Sequence, residues 1–149
     1  MHKPSLQKSL IIILITIAAV STLFILYQNK ERNTINVLLD IEFKLRISEK
    51  AFIKDAEVTV TFIRVVEDSR CPSNVYCFWA GRAIVELSFT KNNKEIGRVN
   101  LTIPGDEEKE FDGYVIRLIR IEPQREYPDK MQISPSDYRI TLIISKKTT

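Results

Sequence analysis

This chain of 149 residues has a single histidine, His2. Everything after it lacks the proton carrier of a Ser–His–Asp triad and the usual partner of a nucleophilic cysteine. A four-ligand Cys/His zinc site is excluded too, because only two cysteines are present. Glycine is nearly as scarce, at four residues, and neither a P-loop nor a dinucleotide-binding fingerprint occurs. Blocks of one charge are missing as well. Lysine and arginine alternate with glutamate and aspartate, and the formal net charge is only +3. A nucleic-acid partner needs a concentrated basic face, so none is expected. Helical periodicity is absent after residue 30. No motif asks for a cofactor.

One long stretch lacks charge altogether. Residues 10–27 read LIIILITIAAVSTLFILY, about 27 Å as a helix against a hydrocarbon core of roughly 30 Å. Tyr27 falls where an interfacial aromatic sits, and Lys3 and Lys8 precede the span. Two readings compete, a cleaved signal peptide with a small-x-small site at residues 19–21 and an uncleaved signal anchor. Cleavage there leaves the apolar run 23–27 at the start of the mature chain, which favours the anchor. The span has no polar face, which argues against a buried core helix. No cysteine stands near its end to carry a lipid. The expected layout is a cytoplasmic segment 1–9, a transmembrane anchor 10–27 in contact with lipid, a linker 28–34 and an extracytoplasmic domain 35–147.

That domain reads as strands. Apolar residues alternate with polar ones from Ile35 to Ile47, with Leu38 out of step. The pattern returns at Ala56, Val58, Val60 and Phe62, then shifts phase at Ile63 and Val65, which predicts a bulge or a crossing between sheets. Further strands are predicted around Val85, Leu101, Ile116 and Leu142, with a second phase shift at Ile119 and a turn near Asn92 and Asn93. The connections are too short for crossover helices. The fold class is therefore all-β, an antiparallel β-sandwich or barrel-like domain of about six to eight strands, behind one transmembrane helix. Residues 123–135 hold three prolines and predict an irregular cover over a sheet end or edge.

The densest information lies in residues 68–81, DSRCPSNVYCFWAG. Cys71 and Cys77 bracket five residues that include Pro72 and a turn at Ser73 and Asn74. In an exported domain such a pair forms a disulfide, worth roughly 2–2.5 kcal/mol by loop entropy. A redox pair would use the Cys-x-x-Cys spacing instead. Trp79, the only tryptophan, is expected to pack beneath the disulfide and fill the end of the core, against a rival role in stacking on a ligand. Asp68 is expected to accept N–H bonds from the turn, and Arg70 to pair with a carboxylate.

The motif Asp-Ser-Arg-Cys-Pro-x4-Cys-x-Trp-Ala-Gly, with Asp68, Ser69, Arg70, Cys71, Pro72, Cys77, Trp79 and Gly81 at its fixed positions, resembles the signature of a group of small exported archaeal and bacterial proteins of no established activity. Gly113, Tyr114, Pro123, Pro128, Asp137 and Tyr138 extend the likeness more loosely, over residues 50–146 in all. Many members look like lipoproteins, whereas this chain has an apolar span. The resemblance implies a compact β-domain outside the membrane and no catalytic residue.

Three functional classes remain. The first is a non-enzymatic interaction or accessory module with a protein partner, such as a small subunit of an envelope or membrane complex. The second is a solute- or metal-binding domain, with Tyr76, Phe78 and Trp79 lining a site or with the acidic run Asp106, Glu107, Glu108, Glu110 and Asp112 holding Ca²⁺; a solvated turn is the plainer reading of that run. A hydrolase working through two carboxylates is the third. The first is preferred. Asn100 heads a glycosylation sequon, and its parity opposite to Val99 and Leu101 places it outward.

Overall fold

The computed structural model describes residues 4–31 and 34–147. Residues 1–3 of the predicted cytoplasmic segment and residues 32–33 of the predicted linker lie outside them. The chain divides into two units after Asn33.

The first unit is one helix, α1, Pro4–Glu31. Its stretch Lys8–Tyr27 is 20 residues long and apolar enough to cross a membrane, about 30 Å of helix. Three hydroxyls within it, those of Thr16, Ser21 and Thr22, turn back on their own backbone. Thr16 Oγ1 donates to Ile13 O at 2.8 Å, Ser21 Oγ to Ala18 O at 2.9 Å and Thr22 Oγ1 to Ala19 O at 2.8 Å. Each hydroxyl is thereby satisfied without water, which an apolar surrounding requires.

The second unit is a sandwich of nine strands among the described residues: β1 Thr34–Val37, β2 Phe43–Arg46, β3 Lys50–Ile53, β4 Val58–Asp68, β5 Ala83–Lys91, β6 Lys94–Ile103, β7 Glu108–Phe111, β8 Tyr114–Glu122 and β9 Arg139–Lys146. One sheet has the order β1-β3-β4-β5-β6 and the other β2-β9-β8-β7. Alternation builds the core between them. Val85 and Leu87 of β5, Leu101 of β6, Leu118 of β8 and Ile140 and Leu142 of β9 all turn inward and are buried. Both predicted phase shifts are register irregularities, in β4 between Phe62 and Arg64 and in β8 between Leu118 and Arg120. The predicted turn at Asn92 and Asn93 has both residues at positive φ, 50° and 59°, as a two-residue hairpin requires.

Three expectations need correction. The run 35–47 is not one strand. It breaks after Val37, passes Asp40 at φ 62°, and resumes as β2 in the opposite sheet. Because β2 lies in that other sheet, β1 and β3 become neighbours and pair in parallel, while the other pairings are antiparallel. Part of the acidic run is not a turn but the strand β7, paired with β8.

Strand direction defines two ends. β4 finishes at Asp68, and residues 69–82 connect it to β5 at that loop end. The Asn92–Asn93 hairpin lies at the far end, where Val58 pairs with Lys91. β1 starts level with Thr61, through Lys50, and runs to the level of Val58. Its first residue is thus its point nearest the loop end.

Candidate functional site

The site grows from an ion pair that closes the loop end of the core. Arg70 Nε donates to Asp68 Oδ1 and Arg70 Nη2 to Asp68 Oδ2, both at 2.8 Å. The two side chains are 9% and 7% exposed. A guanidinium this deep must fill its remaining donors. Nη1 donates to Ile121 O at 2.8 Å and Nη2 to Pro123 O at 2.9 Å. Tyr138 Oη donates to Asp68 Oδ2 at 2.9 Å. One cluster therefore ties the end of β4 to the end of β8 and the start of β9, across both sheets. Burial pushes the Asp68 carboxyl up, but the hydrogen bonds and charge of Arg70, with the Tyr138 hydroxyl, outweigh it and hold the group below the usual aspartate value. Burial and the hydrogen bond to Asp68 push Tyr138 up to about 12.

The predicted partners of Asp68 and Arg70 are thus largely each other, with the Arg70 backbone N–H also reaching Asp68 Oδ1 at 3.3 Å. Tyr138, which the sequence placed only in the looser part of the motif's likeness, and Arg125, which it did not single out, belong to the same framework. Arg125 Nη1 donates to Arg70 O at 3.0 Å, and its Nε donates to Met131 O at 3.2 Å.

The neck of the loop continues the sheet. Ser69 N donates to Arg82 O at 2.8 Å and Cys71 N to Ala80 O at 2.9 Å. Ser69 Oγ donates to Glu67 Oε1 at 2.9 Å. Gly81 passes this neck at φ +64°, and a Cβ there would stand 1.8 Å from Ser69 O. Only glycine fits. Above the neck, Cys71 and Cys77 are joined in a disulfide with their Cα atoms 5.9 Å apart. Pro72, next to Cys71, is buried. The proline-rich segment 123–135 braces the loop from the side, as a cover over the sheet end. Ser73 N donates to Arg125 O at 2.8 Å. Asn74 Nδ2 donates to Tyr127 O at 2.7 Å, and Tyr127 N returns a bond to Asn74 Oδ1 at 2.8 Å.

Trp79 does not pack beneath the disulfide. It is 78% exposed, Phe78 is 89% exposed and Tyr76 is fully exposed at 102%. Arg70, Tyr138 and Pro72 are the buried residues at this end instead. Phe78 and Trp79 meet edge to face, with ring centroids 4.9 Å apart. Tyr127, beside the loop, is 59% exposed. The loop is therefore a polar-bonded, sulfur-closed frame that holds large aromatic side chains out into solvent.

The acidic run supplies no common centre. Glu108 pairs with Arg117, Glu110 with Lys147 and Asp106 with Lys109, while Glu107 accepts the Gly105 N–H. Asp112 takes the hairpin turn at φ 50° beside Gly113. No group of three His, Cys, Asp or Glu side chains placed to hold a metal occurs among the described residues. Between the sheets, a cavity lined by Val60, Phe89 and Phe111 has about 10 Å³, room for one water rather than a solute. Asn100 is exposed on β6, on the outward side its parity predicted. The chain matches no protein-family description, no curated protein and no solved structure.

Proposed function

We propose that this chain is a single-pass membrane protein that holds its β-sandwich outside the cytoplasm as a non-enzymatic interaction module, with the cysteine loop as its contact element. One observation carries the reading: Tyr76, Phe78 and Trp79 stand exposed on a loop held by a disulfide and by hydrogen bonds at Ser69, Cys71, Ser73 and Asn74. Three aromatics together offer roughly 450–750 Å² for burial. That is comparable to one partner's share of a standard interface, about 800 Å². A soluble protein gains nothing by exposing such a patch, and exposed patches of this kind mark contact sites. The frame adds a second advantage. The disulfide, the Gly81 neck and the Asp68–Arg70 cluster fix the rings before contact, which lowers the ordering cost of binding.

The apolar helix and the disulfide support the placement. A 20-residue span is long enough to anchor the chain, and a closed Cys71–Cys77 pair belongs to an oxidising compartment. The resemblance of the motif to the signature of the exported group fits the same picture. Asp68, Ser69, Arg70, Pro72 and Gly81 build the frame, and Trp79 is the motif side chain that the frame leaves free.

The test is photo-crosslinking in native membranes, with a photoreactive phenylalanine at position 78 and, as control, at position 94 of the far-end hairpin. The reading expects a discrete adduct from position 78 and none from position 94. Equal labelling from both, or none from either, refutes it.

A further inference from the structure

The two sheets treat the charges on their outward faces differently. On the first, Arg64 of β4 reaches Glu86 at 2.7 Å and Arg98 of β6 reaches Glu95 at 2.8 Å. On the second, two rows of outward residues cross β2, β9 and β8. One is Arg46, Arg139 and Glu122, and the next is Lys44, Thr141 and Arg120. Four cations therefore stand around one carboxylate. Glu122 is already engaged, by Lys44 Nζ at 3.1 Å and more distantly by Arg120 Nη1 at 3.8 Å. Arg46 and Arg139 are exposed, and neither guanidinium makes an ion pair or a hydrogen bond among the described residues. The acid nearest Arg46 in sequence, Glu49, accepts its backbone N–H at 2.8 Å instead.

The register sets these two arginines side by side. They are direct cross-strand partners, which places their Cβ atoms about 5 Å apart, and like charges so placed destabilise a sheet. An oxyanion between them converts the repulsion into two attractions, because each guanidinium presents a planar fork of donors. Thr141, two residues along β9, is 4% exposed, and its hydroxyl bonds to no described group. It lies on the same outward face, level with Lys44 and Arg120.

There is room beside the pair. Arg139 lines an open groove of about 780 Å³, together with Arg120, Glu122, Lys130 and Asp137. Lys130 is held by Glu126 at 2.9 Å. Asp137 is exposed in the groove without an ion pair among the described residues. The groove is thus not basic throughout. That suits a single anionic group on a small ligand, and disfavours a densely charged polymer.

We propose that Arg46 and Arg139 form an oxyanion-binding pair, which holds a phosphoryl or carboxyl group while the rest of a small ligand lies in the adjoining groove. The proposal concerns the outer face of the second sheet and does not depend on the reading of the cysteine loop.

The test is nuclear magnetic resonance of the full-length chain, with ¹⁵N-labelled arginine, in an uncharged detergent. The Nε–Hε signals lost in Arg46→Gln and in Arg139→Gln assign the two groups. The probes are inorganic phosphate and glucuronate, each compared with chloride at equal ionic strength. The signals of Arg46 and Arg139 are expected to move together and to saturate near ~1 mM of at least one probe, while that of Arg98 on the other sheet stays in place. Phosphate acting alone assigns the site to phosphoryl groups, and glucuronate acting alone to carboxyl groups. In Arg139→Gln the Arg46 signal is expected to need about tenfold more of the same probe, for the loss of one charge-assisted fork. Both side chains are exposed, so the strand signal in circular dichroism is expected to stay unchanged in both variants. Shifts no larger than those in chloride overturn the proposal. So does an Arg98 signal that moves as far as that of Arg139, or an Arg46 response that Arg139→Gln leaves intact.

Discussion

Replacing Arg70 with alanine tests the frame at its most heavily bonded point. The substitution removes four hydrogen bonds at 2.8–2.9 Å, two to Asp68 and one each to the carbonyls of Ile121 and Pro123. Asp68 is left 7% exposed with its cation gone. Breaking one partner of such a buried pair costs about 3–5 kcal/mol. A domain of this size is stable by about 5–15 kcal/mol, so the variant loses a large share of its stability. The exposed pair Lys130–Glu126 is the internal standard, with side chains 59% and 45% exposed. Lys130→Ala is expected to cost less than about 1 kcal/mol. Urea unfolding of the full-length chain in mild detergent, followed by circular dichroism, reads both variants. The pH dependence gives a second signature. Asp68 has a lowered folded-state pKa, so its contribution is complete above the unfolded value of about 3.9 and is lost as pH falls through the folded one. Arg70→Ala should abolish or invert that acid loss. A cost near that of Lys130→Ala, or acid sensitivity equal to that of the parent, would refute the reasoning.

Gly81→Ala forces a left-handed φ on alanine and drives its Cβ into Ser69 O; a loss of about 2–4 kcal/mol is expected, against about 1–2 for Gly113→Ala, which has open space around it. Equal urea midpoints for the two would contradict the neck geometry. Cys71→Ser/Cys77→Ser should lower stability by roughly 2–2.5 kcal/mol, read as a shift in the urea midpoint. Tyr138 titrates at about 12 in the folded chain against 10.0 ordinarily, so the stability it contributes is complete below pH 10 and drains away as pH rises toward 12. Tyr138→Phe should flatten an alkaline unfolding profile over that window; an unchanged slope would remove the Asp68–Tyr138 bond from the account.

The legible parts of the fold were those that depend on local parity. β5 shows it plainly, with Ala83, Val85, Leu87 and Phe89 all inward. The bulges at Ile63 and Ile119 announced themselves as phase changes. The break between β1 and β2 did not, because the alternation from Val37 through Leu39 and Ile41 to Phe43 continues in step across a change of sheet. Leu38 was the only irregularity, and it marks the crossing. Trp79 failed for a different reason. A large apolar ring beside a disulfide is a core residue unless other side chains are buried there, and one of those at this end, Tyr138, comes from far along the chain. Tyr138 reaches Asp68 from 70 positions away, and Arg70 reaches Ile121 across 51. No local pattern in residues 68–81 reveals those partners. The polar residues of the motif were legible as structural, and the sequence could not tell which of its side chains would remain outside.

The state of the two sulfurs in the living cell tests the central claim most directly, because a stapled loop presented outside the cytoplasm requires them joined. Intact cells are lysed into a thiol-reactive polyethylene glycol and the full-length chain is sized on a gel. The chain has only Cys71 and Cys77 to label. The account predicts no mass shift before reduction and a shift of two adducts after it. Two adducts without reduction would place the loop in a reducing compartment, open its frame and contradict the account.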